Sequence, residues 1–259
     1  MTARRLEIAV AVLAVVLGLT TAALRWRAAH AEHATDFVSY VPGGLPVVLV
    51  VPHDGEQWRA SVPPRSVTPR RDVHTAAFAG ELADALEART GRRPHVVILH
   101  MDRRQVDVNR VPAQAYEHPE AAEVYDAFHA RVGQVTAALM QEHGRALLLD
   151  IHGNWEFPAD LYLGTGGGRT VVAGDGPSIE DQARAAVAAA GFDVATPEET
   201  PATLDGDLIT GRYALALGGA VQTVMVEVHS RVRDDPNERA RLADAMADAV
   251  AATFVGWRP

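Results

Sequence analysis

Three apolar runs of this chain each lead into a short motif that contains a histidine and an acidic residue. The runs cover residues 45–51, 146–149 and 221–226, and they are rich in leucine and β-branched residues. Such runs are typical of strands buried in a sheet. The motifs are Pro52-His53-Asp54-Gly55-Glu56, Asp150-Ile151-His152-Gly153 and Val226-Glu227-Val228-His229. Because open α/β sheets bind ligands at the carboxyl ends of their parallel strands, the motifs predict a ligand site there.

Strands and helices alternate along the chain. Predicted strands cover residues 45–51, 95–100, 146–151 and 221–228, with shorter ones around Leu161, Val171 and Phe192. Predicted helices cover residues 72–88, 119–143, 178–190, 207–217 and 236–255. This alternation predicts an α/β fold, a three-layer αβα sandwich. We expect one domain over residues 46–259, preceded by a linker and first turn over residues 32–45.

The amino terminus has the pattern of an export signal. Arg4 and Arg5 precede an apolar stretch over residues 8–24, and Ala29-His30-Ala31 offers a small-x-small cleavage site. The stretch predicts an N-terminal hydrophobic helix, so residues 1–31 are expected to be a signal peptide or a membrane anchor. We therefore expect an exported protein, secreted or anchored at the outer face of the cytoplasmic membrane. Membrane contact is expected only through this segment.

The overall composition excludes several classes of function. The formal net charge of −9 gives no basic surface for nucleic acid, so no nucleic-acid partner is expected. The chain has no cysteine, which rules out disulfides, thiolate catalysis and cysteine-rich zinc sites.

The strand-end motifs supply the donors of a metal centre. Two histidines and a glutamate are a ligand set of catalytic zinc, which keeps one coordination position for water. We expect His53, Glu56 and His152 to be these ligands and Zn²⁺ to be the cofactor. Pro52 and Gly55 make the first motif a tight turn rather than a helix, and a turn can still direct both side chains at one ion.

Glu227 is the candidate acid/base group. It directly follows a buried strand, where a charge is costly unless it is paired or faces a cleft. Beside a metal it would take a proton from water and pass it to a leaving amine. Pairing with Arg231 or Arg233 is the alternative interpretation.

A polar segment after the strand at residues 95–100 is suited to bind a carboxylate. It contains Arg103, Arg104, Asn109 and Arg110. Arginine holds carboxylates through two parallel hydrogen bonds, and asparagine adds a neutral donor. We expect Asn109 and Arg110, with Arg103, to bind a substrate carboxylate. Arg104 is expected to polarise a carbonyl oxygen and stabilise the oxyanion.

These motifs, in this order over residues 46–230, resemble the N-formylglutamate amidohydrolase family, a relative of the zinc carboxypeptidases and aspartoacylases. The resemblance implies a phosphorylase/hydrolase-like sandwich with a mixed, mostly parallel sheet. It also implies zinc ligands at His53, Glu56 and His152, an acid/base at Glu227, and a carboxylate clamp at Asn109 and Arg110. Many relatives lack a glutamate three residues after the first histidine, so Asp72 or His74 is the alternative third ligand.

The expected function is zinc-dependent hydrolysis of an amide. The expected partner is a small, carboxylate-bearing N-acyl amino acid or peptide. One alternative is an exported zinc peptidase acting on cell-wall or γ-glutamyl peptides. Another is a non-catalytic protein that binds carboxylates through Asn109 and Arg110.

Overall fold

The computed structural model describes residues 34–67, 69–171, 177–216 and 221–253. The predicted hydrophobic helix and cleavage site within residues 1–31 lie outside this range. Within the described ranges, no helix is both long enough and apolar enough to cross a membrane.

Six strands and seven helices make up the described part of the chain. The strands are β1 (Val38–Val41), β2 (Val47–Val51), β3 (His95–Leu99), β4 (Ala146–Asn154), β5 (Leu161–Gly164) and β6 (Val221–His229). The helices are α1 (Thr75–Thr90), α2 (Pro112–Ala115), α3 (Pro119–His143), α4 (Ile179–Ala189), α5 (Leu208–Ala216), α6 (Ser230–Arg233) and α7 (Pro236–Thr253).

The strands form one mixed sheet in the order β1-β3-β2-β4-β6-β5. The four central strands are parallel, and the two edge strands, β1 and β5, run antiparallel to their neighbours. The predicted mixed, mostly parallel sheet is therefore confirmed. Parallel pairing brings the carboxyl ends of β2, β4 and β6 together at one edge.

Helices cover both faces of the sheet. On one face, α1, α4 and α7 pack against alternate residues of the central strands, including Val47 and Leu49 of β2. On the other face, α3 and α5 pack against the intervening residues, such as Val48 and Val50. This alternation follows from the two-residue period of a strand. It confirms the predicted three-layer αβα arrangement.

Several element boundaries follow sequence signals. Helix α3 begins at Pro119 and ends before Gly144, as predicted; Gly144 adopts φ +71° and closes the helix with a bond to Met140 O. Strand β1 was not expected, because residues 32–45 read as a linker; it adds an edge strand to β3. Within the described residues, no strand forms around 171 or 192; Val194 makes only an isolated bridge to Leu161.

Candidate metal centre

The carboxyl edge of the sheet brings together three of the residues predicted to share a site, namely His53, His152 and Glu227. His53 follows β2, while His152 and Glu227 lie side by side in the register of β4 and β6. Asp72 joins them from the loop before α1, where its backbone N–H bonds to His53 O at 3.0 Å. All four side chains are buried, and all four line one cavity.

Three donor atoms form a nearly equilateral triangle. His53 Nδ1 lies 3.1 Å from His152 Nδ1, and Asp72 Oδ2 lies 3.4 Å and 3.3 Å from these two nitrogens. Donors bound to one tetrahedral ion at bonds of about 2.0–2.1 Å stand about 3.3 Å apart. Two imidazole nitrogens and a carboxylate oxygen are also the donor types that zinc prefers. His53, Asp72 and His152 therefore fit a single divalent ion.

Acidic groups behind the two histidines orient their rings. Asp107 Oδ1 lies 2.8 Å from His53 Nε2, and Asp150 Oδ1 lies 3.1 Å from His152 Nε2. At His53 the carboxylate favours a proton on Nε2, which leaves the Nδ1 lone pair free to face a metal, whereas the Asp150 oxygen lies at ion-pair distance from His152 without a hydrogen bond. This is the arrangement that carboxylates adopt behind metal-binding histidines.

The protonation of the cluster shows how strongly these charges interact. Burial opposes ionisation of Asp72, but hydrogen bonds with His152 and His53 outweigh it and hold the pKa of Asp72 well below its ordinary value. Burial also opposes a charge on His152, yet Asp150 and Asp72 raise the pKa of His152 well above its ordinary value. The acidic residues around His152 thus favour a positive charge at the centre of the cluster.

A second group of possible donors shares one histidine with the first. Asp150, His152 and Asp207 also bring donor atoms close together. However, the Asn109 amide nitrogen stands 2.8 Å from His152 Nε2, the nitrogen this second group would use. In the triangle, the backbone N–H of Gly153 donates to Asp72 Oδ2 at 3.3 Å, and this carboxylate oxygen keeps a second lone pair for an ion.

The structure corrects the expected position of the third donor, because Glu56 does not join the cluster. After His53 the chain runs beside the end of β3, where Gln57 N bonds to His100 O at 2.8 Å. This path turns Glu56 into solvent; its side chain is 76% exposed and pairs with Arg71 at 2.6 Å. His74, the other alternative, is exposed and bonds to Asp234. Asp72 occupies the third position.

Glu227 faces the cavity beside this triangle. Its Oε2 atom is buried and has no hydrogen-bond partner among the described residues. Burial raises the pKa of Glu227 to about 7, and the nearby carboxylates of Asp72 and Asp207 add to the effect, against the lowering effect of His152. A free carboxylate oxygen with a pKa near neutrality is suited to accept and return a proton. The structure does not pair it with Arg231 or Arg233 through any hydrogen bond.

Two of the predicted arginines line the same cavity, which has a volume of about 330 Å³. Arg103 bonds to Asp107 Oδ2 at 3.1 Å and approaches Asp72 Oδ1 at 3.4 Å. Arg110 is 45% exposed, and its nearest acidic partner is Asp207 at 3.7 Å. Arg110 is therefore the more accessible of the two for an incoming anion.

The other two residues of this segment that were predicted to contact substrate, Arg104 and Asn109, do not line the cavity. Arg104 points away from the cavity: its side chain is 52% exposed and binds Asp102 through two nitrogens. Asn109 is fully buried, and it contacts His152 Nε2 at 2.8 Å and accepts a bond from Ile209 N at 2.9 Å. Asn109 thus supports a metal-facing histidine rather than lining the cavity.

Sequence reasoning missed several residues that shape the site. Asp107 lies within the arginine-rich segment of residues 103–110, and nothing in its spacing indicates that it would orient His53. Trp155 and Phe157 line the cavity from the turn after β4. No spacing rule pointed to them, because residues of an irregular turn carry no periodic signal.

The fold is the predicted three-layer αβα sandwich with a mixed, mostly parallel sheet, and it carries a cluster of donor atoms at the carboxyl edge of that sheet. Among solved structures, N-formylglutamate amidohydrolase from Ralstonia eutropha JMP134 is similar, with a TM-score of 0.63 and 18% identity over 85% of this chain and 98% of that chain. A gene product from Agrobacterium tumefaciens is also similar, with a TM-score of 0.56 and 18% identity over 86% of this chain and 98% of that chain.

At this identity the similarity establishes a shared fold. The resemblance inferred from the motifs is confirmed at that level. No protein-family model matches the chain, and no curated protein sequence matches it.

Proposed function

We propose that this protein is a zinc-dependent hydrolase that cleaves an amide bond in a small N-acyl amino acid or a carboxylate-bearing peptide. The observation that carries the proposal is the triangle of His53 Nδ1, His152 Nδ1 and Asp72 Oδ2 facing the same cavity as the unpartnered Glu227 carboxylate. The amide-hydrolysing activity named for the similar Ralstonia eutropha structure supports the proposed reaction type.

His53, Asp72 and His152 would hold the ion. When bound there, zinc would supply a Lewis acid that polarises a carbonyl oxygen and lowers the pKa of water. Asp107 would hold the His53 imidazole in the tautomer that turns Nδ1 towards the ion, and Asp150 would lie behind the His152 ring.

Glu227 would perform the proton transfers. Its free oxygen accepts a proton from the attacking water and then delivers it to the departing amine nitrogen, so the carboxylate ends the cycle as it began. Glu227 is buried beside His152, so the cavity is the side from which water and substrate would reach it.

Arg110 would hold the substrate carboxylate at the cavity mouth. Its partly exposed guanidinium offers the planar donor pair that carboxylates bind. Arg103, which bonds to Asp107 and approaches Asp72, would instead keep the acidic groups around the ion in place.

The cavity volume supports small substrates over polymers. About 330 Å³ matches the lower end of small-molecule sites. Long cell-wall or γ-glutamyl chains would have to extend outside the described cavity. The export pattern at Arg4, Arg5 and residues 8–24 supports the further proposal that the enzyme acts outside the cytoplasm.

The test is release of free amine from a panel of N-formyl and N-acetyl amino acids and short peptides by the zinc-loaded protein. We expect turnover by the wild-type protein and its loss in His152→Ala. Full activity of His152→Ala would contradict the proposal. Turnover of polymeric peptides alone would favour the peptidase alternative, and saturable binding of these compounds without turnover would favour the carboxylate-binding alternative.

A further inference from the structure

We infer that the site selects substrates with a single carboxylate and an apolar side chain, and discriminates against a second negative charge. This inference rests on the proposed function and concerns the same cavity. It follows from the composition of the cavity lining. Apart from the ion that the site would hold, the lining has two cationic side chains, four acidic ones and a group of apolar residues.

The cations of the lining provide for one carboxylate. Arg103 and Arg110 are the arginines that line the cavity within the described residues. Arg103 is 3.1 Å from Asp107 Oδ2 and 3.4 Å from Asp72 Oδ1, so its charge is already matched. Arg110 has one longer contact, to Asp207 at 3.7 Å, and is 45% exposed, so it is the cation available to the carboxylate of the substrate.

The acids of the lining oppose a second carboxylate. Glu156 and Asp207 line the cavity in addition to the proposed acid/base and metal-binding groups. A second substrate carboxylate would leave water for a position near these groups without a matched cation. A neutral side chain of the same size would avoid that cost.

The apolar part of the lining is pre-organised. Phe157, Leu204 and Met225 line the cavity together with the ring of Trp155. Leu204 belongs to a small apolar cluster with Tyr162, and Phe157 packs edge-on against the Tyr162 ring at 6.1 Å between centroids. Side chains held in this way present a fixed surface to an apolar group.

The main competing possibility is that Arg70 recognises a second carboxylate of the substrate. Its guanidinium lies over the Trp155 ring at 4.8 Å, but Arg70 is not among the residues that line the cavity. If an acidic substrate were preferred, Arg70 would be the cation to recognise its second carboxylate. The Arg70→Gln variant therefore separates the two possibilities.

The experiment compares N-acyl derivatives of methionine, glutamine and glutamate with the zinc-loaded protein. Glutamine and glutamate have the same shape and differ in charge, so their ratio isolates the charge effect. We expect kcat/KM to be at least about 10-fold higher for glutamine than for glutamate, and highest for methionine. Arg70→Gln should leave these ratios unchanged.

Two substitutions test the apolar surface. Phe157→Ala should lower kcat/KM for the methionine substrate by about 10-fold and affect the glutamate substrate little. Trp58→Ala, which removes an exposed ring outside the cavity lining, is the matched control and should change neither. Phe157→Leu keeps an apolar group and should restore most of the loss, which excludes simple misfolding of Phe157→Ala.

Binding to the zinc-loaded Glu227→Gln variant, measured by calorimetry, separates this inference from the proposed reaction. If the wild-type protein hydrolyses none of the compounds but the variant binds the methionine derivative at least about 10-fold more tightly than the glutamate derivative, the reaction fails and the selectivity stands. A preference for glutamate in binding or turnover overturns the inference. Failure to bind any of the three compounds also overturns it.

Discussion

His53 Nε2 lies 2.8 Å from Asp107 Oδ1, on the side of the ring opposite to the cluster of donors. The Nδ1 atom of the same ring faces His152 Nδ1 at 3.1 Å. One imidazole thus connects an orienting carboxylate to a position suited to an ion. Burial opposes a charge on Asp107, but His53 and Arg103 together lower the pKa of Asp107 well below its ordinary value, so it remains an acceptor.

Replacing Asp107 by asparagine should weaken zinc binding. The amide removes the negative charge that fixes the His53 tautomer, while its size is nearly unchanged. We expect the zinc Kd to rise by about 10- to 100-fold, measured by competition with a chromophoric chelator. Asp102→Asn is the control, since Asp102 pairs with Arg104 outside the cavity; it should leave the Kd unchanged. Equal Kd values for Asp107→Asn and wild type would contradict an orienting role.

The Glu227→Gln variant should retain zinc and lose turnover. Glutamine keeps the shape of the side chain but cannot accept the proton from water. We expect kcat to fall by about 10²- to 10⁴-fold, with zinc content unchanged by elemental analysis. A variant with normal kcat would assign the proton transfer to another group.

Zinc binding should release protons in a pH-dependent way. In the metal-free protein, burial and neighbouring carboxylates raise the pKa of Glu227 to about 7, so below pH 7 this group is largely protonated. A nearby cation stabilises the carboxylate and displaces that proton. Calorimetry in buffers of different ionisation enthalpy should show greater proton release at pH 6 than at pH 8.

The same titration in Glu227→Gln identifies the source of the protons. Burial opposes a charge on His152, but Asp150 and Asp72 raise its pKa well above the ordinary value, and this residue is the same in both proteins. The variant should therefore release up to about one proton fewer at pH 6 and show little change at pH 8. Identical release by both proteins at pH 6 would refute the assignment to Glu227.

Protein stability should fall in acid partly through His129, which lies outside the cluster. This buried ring lies 2.9 Å from Val108 O and 2.9 Å from the Tyr213 hydroxyl. Burial, with a contribution from Arg212, lowers the pKa of His129 from 6.5 to about 4. Folding therefore favours the neutral form of His129. The contribution of this residue to the free energy of unfolding is present above pH 6.5 and is lost as the pH falls towards 4.

The expected loss from this residue is about 3 kcal/mol in the free energy of unfolding between pH 6.5 and pH 4. Urea unfolding across this range would measure it. His129→Gln retains a donor for Val108 O and does not titrate, so its stability should depend less steeply on pH. His118→Gln, a substitution of a histidine that caps α3 near the surface, is the control and should keep the wild-type slope. Parallel curves for His129→Gln and wild type would contradict this prediction.

The sequence predicted the sheet edge well because strand ends are local features. His53, His152 and Glu227 each follow or end an apolar run, and parallel pairing then brings them together. The third donor was different. A spacing of three residues suggested Glu56, but the chain beyond Gly55 follows the backbone of His100 so closely that a Cβ at Gly55 would clash with the carbonyl carbon of His100.

Asp72 reaches the cluster through a longer path that spacing cannot reveal. The helix was predicted to begin at residue 72, yet α1 begins at Thr75, after His74 adopts φ +67°. This arrangement leaves the Asp72 side chain free to face the histidines. Arg103 enters the cavity through its contacts with Asp107 and Asp72, while Asp102, two residues away along the chain, holds Arg104 outside it.

The central claim is tested most directly by the zinc content of the purified full-length protein, Asp72→Ala and Glu56→Ala. After loading and desalting, elemental analysis should find about one zinc per chain in the wild-type protein and in Glu56→Ala, and a loss of zinc in Asp72→Ala. Zinc retained by Asp72→Ala but lost from Glu56→Ala would contradict the site described here. So would a wild-type protein that holds no zinc after loading.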